Sequence, residues 1–238
     1  MAVLVVSGTG TEVGKTVVTA AVAAAALAAG RSVAVLKAAQ TGVPPGEPGD
    51  VGEVLRLAGP VTAAETRRYP EPLAPATAAR RAGRAAVRPH DVAERAAALA
   101  AGHDLVLVEG AGGLLVRFDA AGGTLADAAA LLSAPVLVVA SAGLGTLNAT
   151  ELTVRELDRR GLEAPGVVIG SWPGAPGLAE RCNLADLPDV SGLPLLGAVP
   201  EGAAARPPDA FRTAAPGWLA PRLDGTWDAE AFRAREAP

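Results

Sequence analysis

Apolar positions in this chain fall into short unbroken runs separated by longer alanine-rich or amphipathic stretches. Residues 2–6 form the first run, ended by SGTGTE, and 14–29 are rich enough in Ala and Val to make a buried helix. Further strands are predicted at 32–36, 105–108, 136–140 and 166–169, with a sixth at 195–199. The helix-like stretches at 90–101, 125–132 and 147–160 have the length of crossovers joining parallel strands with right-handed sense. Strands this apolar, without alternation, belong where helices cover both faces of the sheet. The expected fold is therefore α/β, a doubly wound and mostly parallel sheet with its ligand sites outside the strands' carboxyl ends. Residues 43–50 are predicted as a flexible loop carrying Asp50, 69–75 as a proline-rich connection, and 203–238 as a terminal helix pair or a loosely packed tail.

Composition narrows this picture. A chain of 238 residues, 50% of them apolar, can bury one sizeable core, so 1–238 reads as a single domain. No apolar run reaches the roughly 18–20 residues of a membrane helix, and a soluble, cytoplasmic protein is expected, with no membrane partner. A net charge of −4 with scattered arginines argues against a nucleic-acid partner. Cys182 has no second cysteine and no metal-ligand spacing around it, and reads as a bystander thiol. Of the 21 basic residues only Lys15 and Lys37 are lysines. In a chain that otherwise uses arginine, these two positions require something a planar guanidinium fork does not supply.

Lys15 lies in GTGTEVGKT, Gly8 to Thr16, directly after a strand and before a helix, which is the context a P-loop requires. The loop is one residue longer than the usual spacing, but its physical parts are complete, and the sheet is read as a P-loop NTPase-like three-layer sandwich. Backbone N–H groups from Glu12, Val13, Gly14 and Lys15 can converge on a phosphate at the positive end of the helix dipole, with Thr16 on Mg²⁺ and Val17 following. A triphosphate's Mg²⁺ needs hard oxygen ligands at neighbouring strand ends. Glu109, closing LVLV and opening EGAGG, is one candidate, and Asp50 is another, with Glu47 and Glu53 as its local competitors. Lys37 ends the second strand ahead of AAQTG, so a second cation and the Thr41 hydroxyl should face the same edge.

GTGTEVGKT, LKAAQTG, the acidic loop at Asp50, EPLAPATAA, VEGAGGLLV and LGTLNAT, in that order, make the chain resemble dethiobiotin synthetase over about residues 2–202. The resemblance implies a homodimeric ligase. It would use Mg²⁺ and ATP, or another nucleoside triphosphate, to close the ureido ring of dethiobiotin from 7,8-diaminononanoate and CO₂, by way of a carbamate and its phosphorylated anhydride. It implies Lys37 and Lys15 as the catalytic cations, and Thr16, Asp50 and Glu109 as metal ligands. Thr11 and Thr41 would be substrate contacts, with Gly110, Ala111 and Gly112 lining the pocket. Gly145, Leu147 and Asn148 match the stretch that reaches across the dimer to the substrate carboxylate.

Two positions depart from the family pattern. Gly10 stands where many members carry Asp, which should alter loop rigidity more than chemistry. After the fifth strand the chain reads IGSWP where many members place an Asn that recognises adenine. Base contacts are then left to Gly170, Ser171, Pro200, Glu201 and Gly202, with Trp172 either a packing residue or a base-stacking one. The competing classes are an ATP-driven dimer switch of the DNA-partitioning or division-site kind and a cobyrinate-type amide ligase. The first usually carries an extra lysine early in the loop, absent from GTGTEV, and the second a glutamine-hydrolysing domain with a nucleophilic cysteine.

Overall fold

A computed structural model describes residues 3–236. In chain order its elements begin with β1 (Val3–Gly8), α1 (Lys15–Ala28), β2 (Val33–Lys37), β3 (Gln40–Thr41), α2 (Asp50–Ala58) and β4 (Thr62–Glu65). They continue with β5 (Arg68–Tyr69), α3 (Pro75–Arg81), α4 (Pro89–Ala100), β6 (Leu105–Gly113), α5 (Leu125–Leu132) and β7 (Val136–Ala140). The last are α6 (Thr146–Arg159), β8 (Val167–Trp172), α7 (Leu178–Ser191), β9 (Leu195–Pro200), α8 (Pro208–Ala214) and α9 (Ala229–Glu236). Ala2, expected to open the first strand, lies outside the described residues.

Seven strands form one sheet in the order β4-β2-β6-β1-β7-β8-β9. Every pairing between them is parallel. Successive residues of a strand face opposite sides, so each apolar run feeds two cores. In β6, Val106 and Val108 join the core beneath α4–α7 and α9, whereas Leu105 and Leu107 join the one beneath α1, α2 and α8. This is the expected three-layer, doubly wound arrangement. Helix α1 is buried almost all round because Ala20, Ala21, Ala23, Ala24, Ala25 and Ala26 let the sheet, α2 and α8 approach closely.

One expectation changes and two open alternatives are decided. Asp50 is not in a flexible loop but is the first residue of α2. Residues 203–236 are packed: Phe211 meets Trp218 edge-on at 5.1 Å, and Phe232 meets Trp172 edge-on at 5.4 Å. Such pairs contribute about 0.5–1.5 kcal/mol each beyond the area they bury. Trp172 is thereby a packing residue of the core, which removes the base-stacking alternative. The exposed Cys182 sits on α7, a helix the pattern did not announce. No helix among the described residues is long and apolar enough to cross a membrane.

Candidate active site

The phosphate loop is built around unusual backbone. Glu12 has φ 61°, a left-handed conformation that costs a residue with a side chain about 1 kcal/mol or more. Gly14 follows at φ 92° and forms the N-cap of α1 with no side chain to cap it. Together they turn successive N–H groups toward one concavity at the helix start, the geometry that takes an anion. Gly14 also packs directly on the backbone of Gly170, and a β-carbon on Gly170 would run into the Val13 carbonyl. The end of β8 and the phosphate loop are therefore in main-chain contact, and only glycine fits at 170. An asparagine at this position would displace the loop.

Beside the loop, the register of two neighbouring strands sets the charges. Lys37 at the end of β2 lies opposite Glu109 in β6. The Lys37 ammonium donates to Glu109 Oε1 at 2.7 Å and to the Gly110 carbonyl at 2.9 Å, and pairs with Asp50 Oδ2 at 2.5 Å. Its three N–H bonds are thus all engaged. Burial opposes its charge, but Glu109 and Asp50 outweigh that effect and raise its pKa above the ordinary lysine value. Thr16 also donates to Glu109 Oε1, at 2.9 Å. The other oxygen, Oε2, is buried and finds no hydrogen-bond partner among the described residues, on a side chain only 1% exposed. Leaving a carboxylate oxygen dry is costly, so the site is built to give it a cationic or donor ligand.

Lys15 donates to the Gly10 carbonyl at 2.8 Å. Burial, and then the like charge of Lys37, lower its pKa from 10.5 to about 8, with Glu109 and Asp50 acting in the opposite sense. The ammonium is held in a state poised to gain from an anion. The fit to a divalent cation follows the donor set: Thr16, Glu109 and Asp50 supply hard oxygens, and Oε2 is unpartnered. Among the described residues no three His, Cys, Asp or Glu side chains gather into a metal site of their own. A cation here would complete its shell from phosphate and water, as Mg²⁺ does.

These groups line one cleft of about 760 Å³. It brings together Thr11, Glu12, Gly14, Lys15, Thr16, Val17, Lys37, Thr41, Asp50, Glu109, Ala111 and Gly112. Glu47 is exposed and its carbonyl accepts from Arg68, while Glu53 pairs with Arg56. Of the three acids near residue 50, Asp50 is the one at Lys37. Val13 and Gly110 do not line the cleft: the Val13 carbonyl lies against Gly170, and the Gly110 carbonyl accepts from Lys37. Gly170, Ser171, Pro200, Glu201 and Gly202 lie at the neighbouring ends of β8 and β9, where Glu201 N–H donates to the Trp172 carbonyl. Gly145, Leu147 and Asn148, around the start of α6, do not line the cleft. Sequence reasoning missed Gln40, Val43, Val116 and the wall at Pro72, Leu73, Ala74 and Pro75. Only the glutamine in LKAAQTG offered a polar signal.

Residues 2–209 match a protein family described as an AAA domain. ATP-dependent dethiobiotin synthetase BioD of Streptomyces coelicolor is 76% identical over 100% of both chains. The enzyme of the same name from Rhodococcus jostii is 61% identical over 95% of this chain and 96% of its own. Among solved structures, the cell-division ATPase MinD of Pyrococcus furiosus superposes with a TM-score of 0.56 at 19% identity, covering 90% of this chain and 97% of that one. A ParA-family ATPase from Chlorobium tepidum gives 0.56 at 13% identity, covering 93% and 95%. At such identities these two ATPases share the fold alone.

Proposed function

This chain belongs to the dethiobiotin synthetase family of ATP-dependent ligases, and from that premise we propose that its cleft closes the ureido ring of dethiobiotin from 7,8-diaminononanoate and CO₂. The observation that carries the reading is the cluster of Lys15, Lys37, Thr16, Asp50 and Glu109 at one sheet edge.

One amine of the substrate adds to CO₂, giving a carbamate and releasing a proton. A carbamate oxygen then attacks the γ-phosphorus and the nucleoside diphosphate leaves. The second amine attacks the carbamate carbon, inorganic phosphate departs, and the ring is closed. Each intermediate is anionic, so the protein's task is to position it and to stabilise negative charge. Lys15 and the backbone of residues 12–16 hold the phosphates, with Val17 behind them. Lys37 faces the carbamate. Because its three N–H bonds are engaged, a carbamate must displace one acceptor, and Asp50, whose side chain is 34% exposed, is the accessible one. Thr16, Asp50 and Glu109 would hold Mg²⁺, which when bound screens the charge on the β- and γ-phosphates. Thr11, Thr41, Ala111 and Gly112 line the remaining wall as diamine contacts, and Gly170, Ser171 and Pro200, Glu201, Gly202 frame the base through backbone.

The carboxylate end of the substrate would be held across a homodimer by Gly145, Leu147 and Asn148 of a second copy. Leu144, next to them, is 90% exposed, and Leu152 on the same helix is also exposed, which is apolar surface that an interface would cover. The enzyme would work in the cytoplasm. Incubation with diaminononanoate, bicarbonate, Mg²⁺ and ATP should yield dethiobiotin by mass spectrometry. Absence of product from folded, nucleotide-binding protein with any triphosphate counts against the reading.

A further inference from the structure

Helix α2, which delivers Asp50 to Lys37, begins without a local cap: its N-cap residue is Gly49, and no side chain there bonds the first turn. The first N–H groups of a helix have no intrahelical acceptor and need one from elsewhere. Here the acceptor comes from ten residues upstream. Gln40, 2% exposed, accepts the Asp50 backbone N–H on its Oε1 at 2.8 Å. Its Nε2 donates to the Thr41 carbonyl at 3.2 Å, which orients the amide with its oxygen toward α2. The Gln40 backbone is itself tied down, its N–H donating to the Arg67 carbonyl at 2.9 Å where β3 pairs with β5.

Gly49 completes the device. A β-carbon there would lie 2.6 Å from Gln40 Oε1 and 2.8 Å from the Arg68 guanidinium, so glycine is what lets the amide reach the helix. The φ of −99° is one that any residue adopts, which isolates the close approach as the reason for glycine. One short stretch, Lys37 to Gln40, thus grips a single residue twice: Lys37 holds the Asp50 carboxylate and Gln40 holds its amide.

We infer that Gln40 is a positioning residue that, with Gly49, sets Asp50 for the phosphate-cation site without touching substrate. This rests on the assignment of Asp50 to that site. The test compares Gln40→Met, which keeps length but removes the acceptor, Gln40→Glu, which keeps an acceptor oxygen, Gly49→Ala, which displaces the amide from the other side, and Asp50→Asn. Two quantities are read: amide hydrogen exchange at Asp50 in the metal-free protein, and the Mg²⁺ concentration giving half-maximal turnover beside the KM for the diamine.

Losing one hydrogen bond of this kind should speed Asp50 amide exchange and raise the half-saturating Mg²⁺ roughly five- to tenfold in Gln40→Met and Gly49→Ala, with the diamine KM within about twofold of wild type. Gln40→Glu keeps the acceptor but loses the donor to the Thr41 carbonyl, so its Asp50 amide exchange should fall between wild type and Gln40→Met. If Gln40→Met fails to fold, Gly49→Ala tests the same contact with Gln40 intact. Unchanged exchange and unchanged Mg²⁺ dependence in these variants, while Asp50→Asn shifts the Mg²⁺ dependence strongly, overturns the role of Gln40. No shift in Asp50→Asn itself overturns the placement of Asp50 on which the inference stands.

Discussion

Replacing Lys37 by Met separates the electrostatic and catalytic roles of the buried cluster. In the native protein Glu109 is 1% exposed and its charge is met by the Lys37 ammonium at 2.7 Å and the Thr16 hydroxyl at 2.9 Å. Lys37→Met leaves that carboxylate buried with a neutral donor alone. Removing one partner of a buried pair costs about 3–5 kcal/mol, because the surviving charge has lost its compensation. For a chain of 238 residues, where each kcal/mol moves Tm by roughly 2–4 °C, the fall should be about 6–20 °C. If Lys37 faces the anionic intermediates as proposed, turnover should drop by roughly 10²-fold or more. The double variant Lys37→Met, Glu109→Gln removes both charges and should recover most of the lost Tm while remaining inactive. Scanning calorimetry and dethiobiotin formation by mass spectrometry read the two effects. A Lys37→Met protein that melts within about 2 °C of wild type and keeps turnover within tenfold would refute the account, as would a double variant as unstable as the single one.

Other outcomes follow from the same geometry. The pKa of Lys15, lowered from 10.5 to about 8, means the folded protein sheds a proton the unfolded chain still holds, so the stability cost of charging Lys15 is present below pH 8 and relieved between about 8 and 10.5. Phosphate needs the charged form, so nucleotide affinity should fall as pH rises through 8 and binding near pH 8 should take up a proton; titration calorimetry in buffers of different ionisation enthalpy checks this, and flat affinity from pH 7 to 9 contradicts it. Gly170→Ala should push the phosphate loop through Val13 and weaken ATP and CTP binding by tenfold or more alike. Wild type, with no side chain at 170 to read a base, should turn over ATP and CTP comparably, and a strong ATP preference in competition assays would argue otherwise. Leu144→Glu should shift sedimentation toward monomer and raise the diamine KM while leaving nucleotide affinity within about twofold.

How far the chain's pattern reached can be judged at particular residues. The central strands and α1, α4, α5 and α6 were legible because each is an apolar run or an amphipathic stretch with its own boundaries. Strand β4, TAAE, was not, because it is an edge strand with two exposed residues and no apolar run to mark it. Helix α7 carries Pro188 and many polar positions, and its regularity comes from packing on α6. Helix α2 was missed although Asp50 and Glu53 in its first turn, Arg56 in its last and Gly59 after it are local helix signals; what could not be read nearby was its capping acceptor, Gln40, ten residues upstream. The same non-locality decided the site. Lys37 and Glu109 could each be picked out as strand ends, but their contact depends on Val33 lying opposite Leu105, a register that only the assembled sheet fixes.

That contact also explains why this arginine-rich chain keeps two lysines. Around Lys37 the acceptors are Glu109 Oε1, Asp50 Oδ2 and the Gly110 carbonyl, all within 2.9 Å of one nitrogen. A tetrahedral ammonium directs its three N–H bonds to three oxygens around one nitrogen, whereas a guanidinium spreads five donors in a plane and does not match that arrangement. Around Lys15 a compact ammonium donates to the Gly10 carbonyl at 2.8 Å inside the phosphate loop, and its pKa is lowered by burial and then by Lys37. A guanidinium would remain charged at any accessible pH, while an ammonium brought to about 8 stays responsive to the anion beside it. Lys15→Arg should therefore remove the proton uptake that accompanies nucleotide binding near pH 8 even if binding survives. Proton uptake of wild-type size in that variant would place the titrating group elsewhere in the cleft.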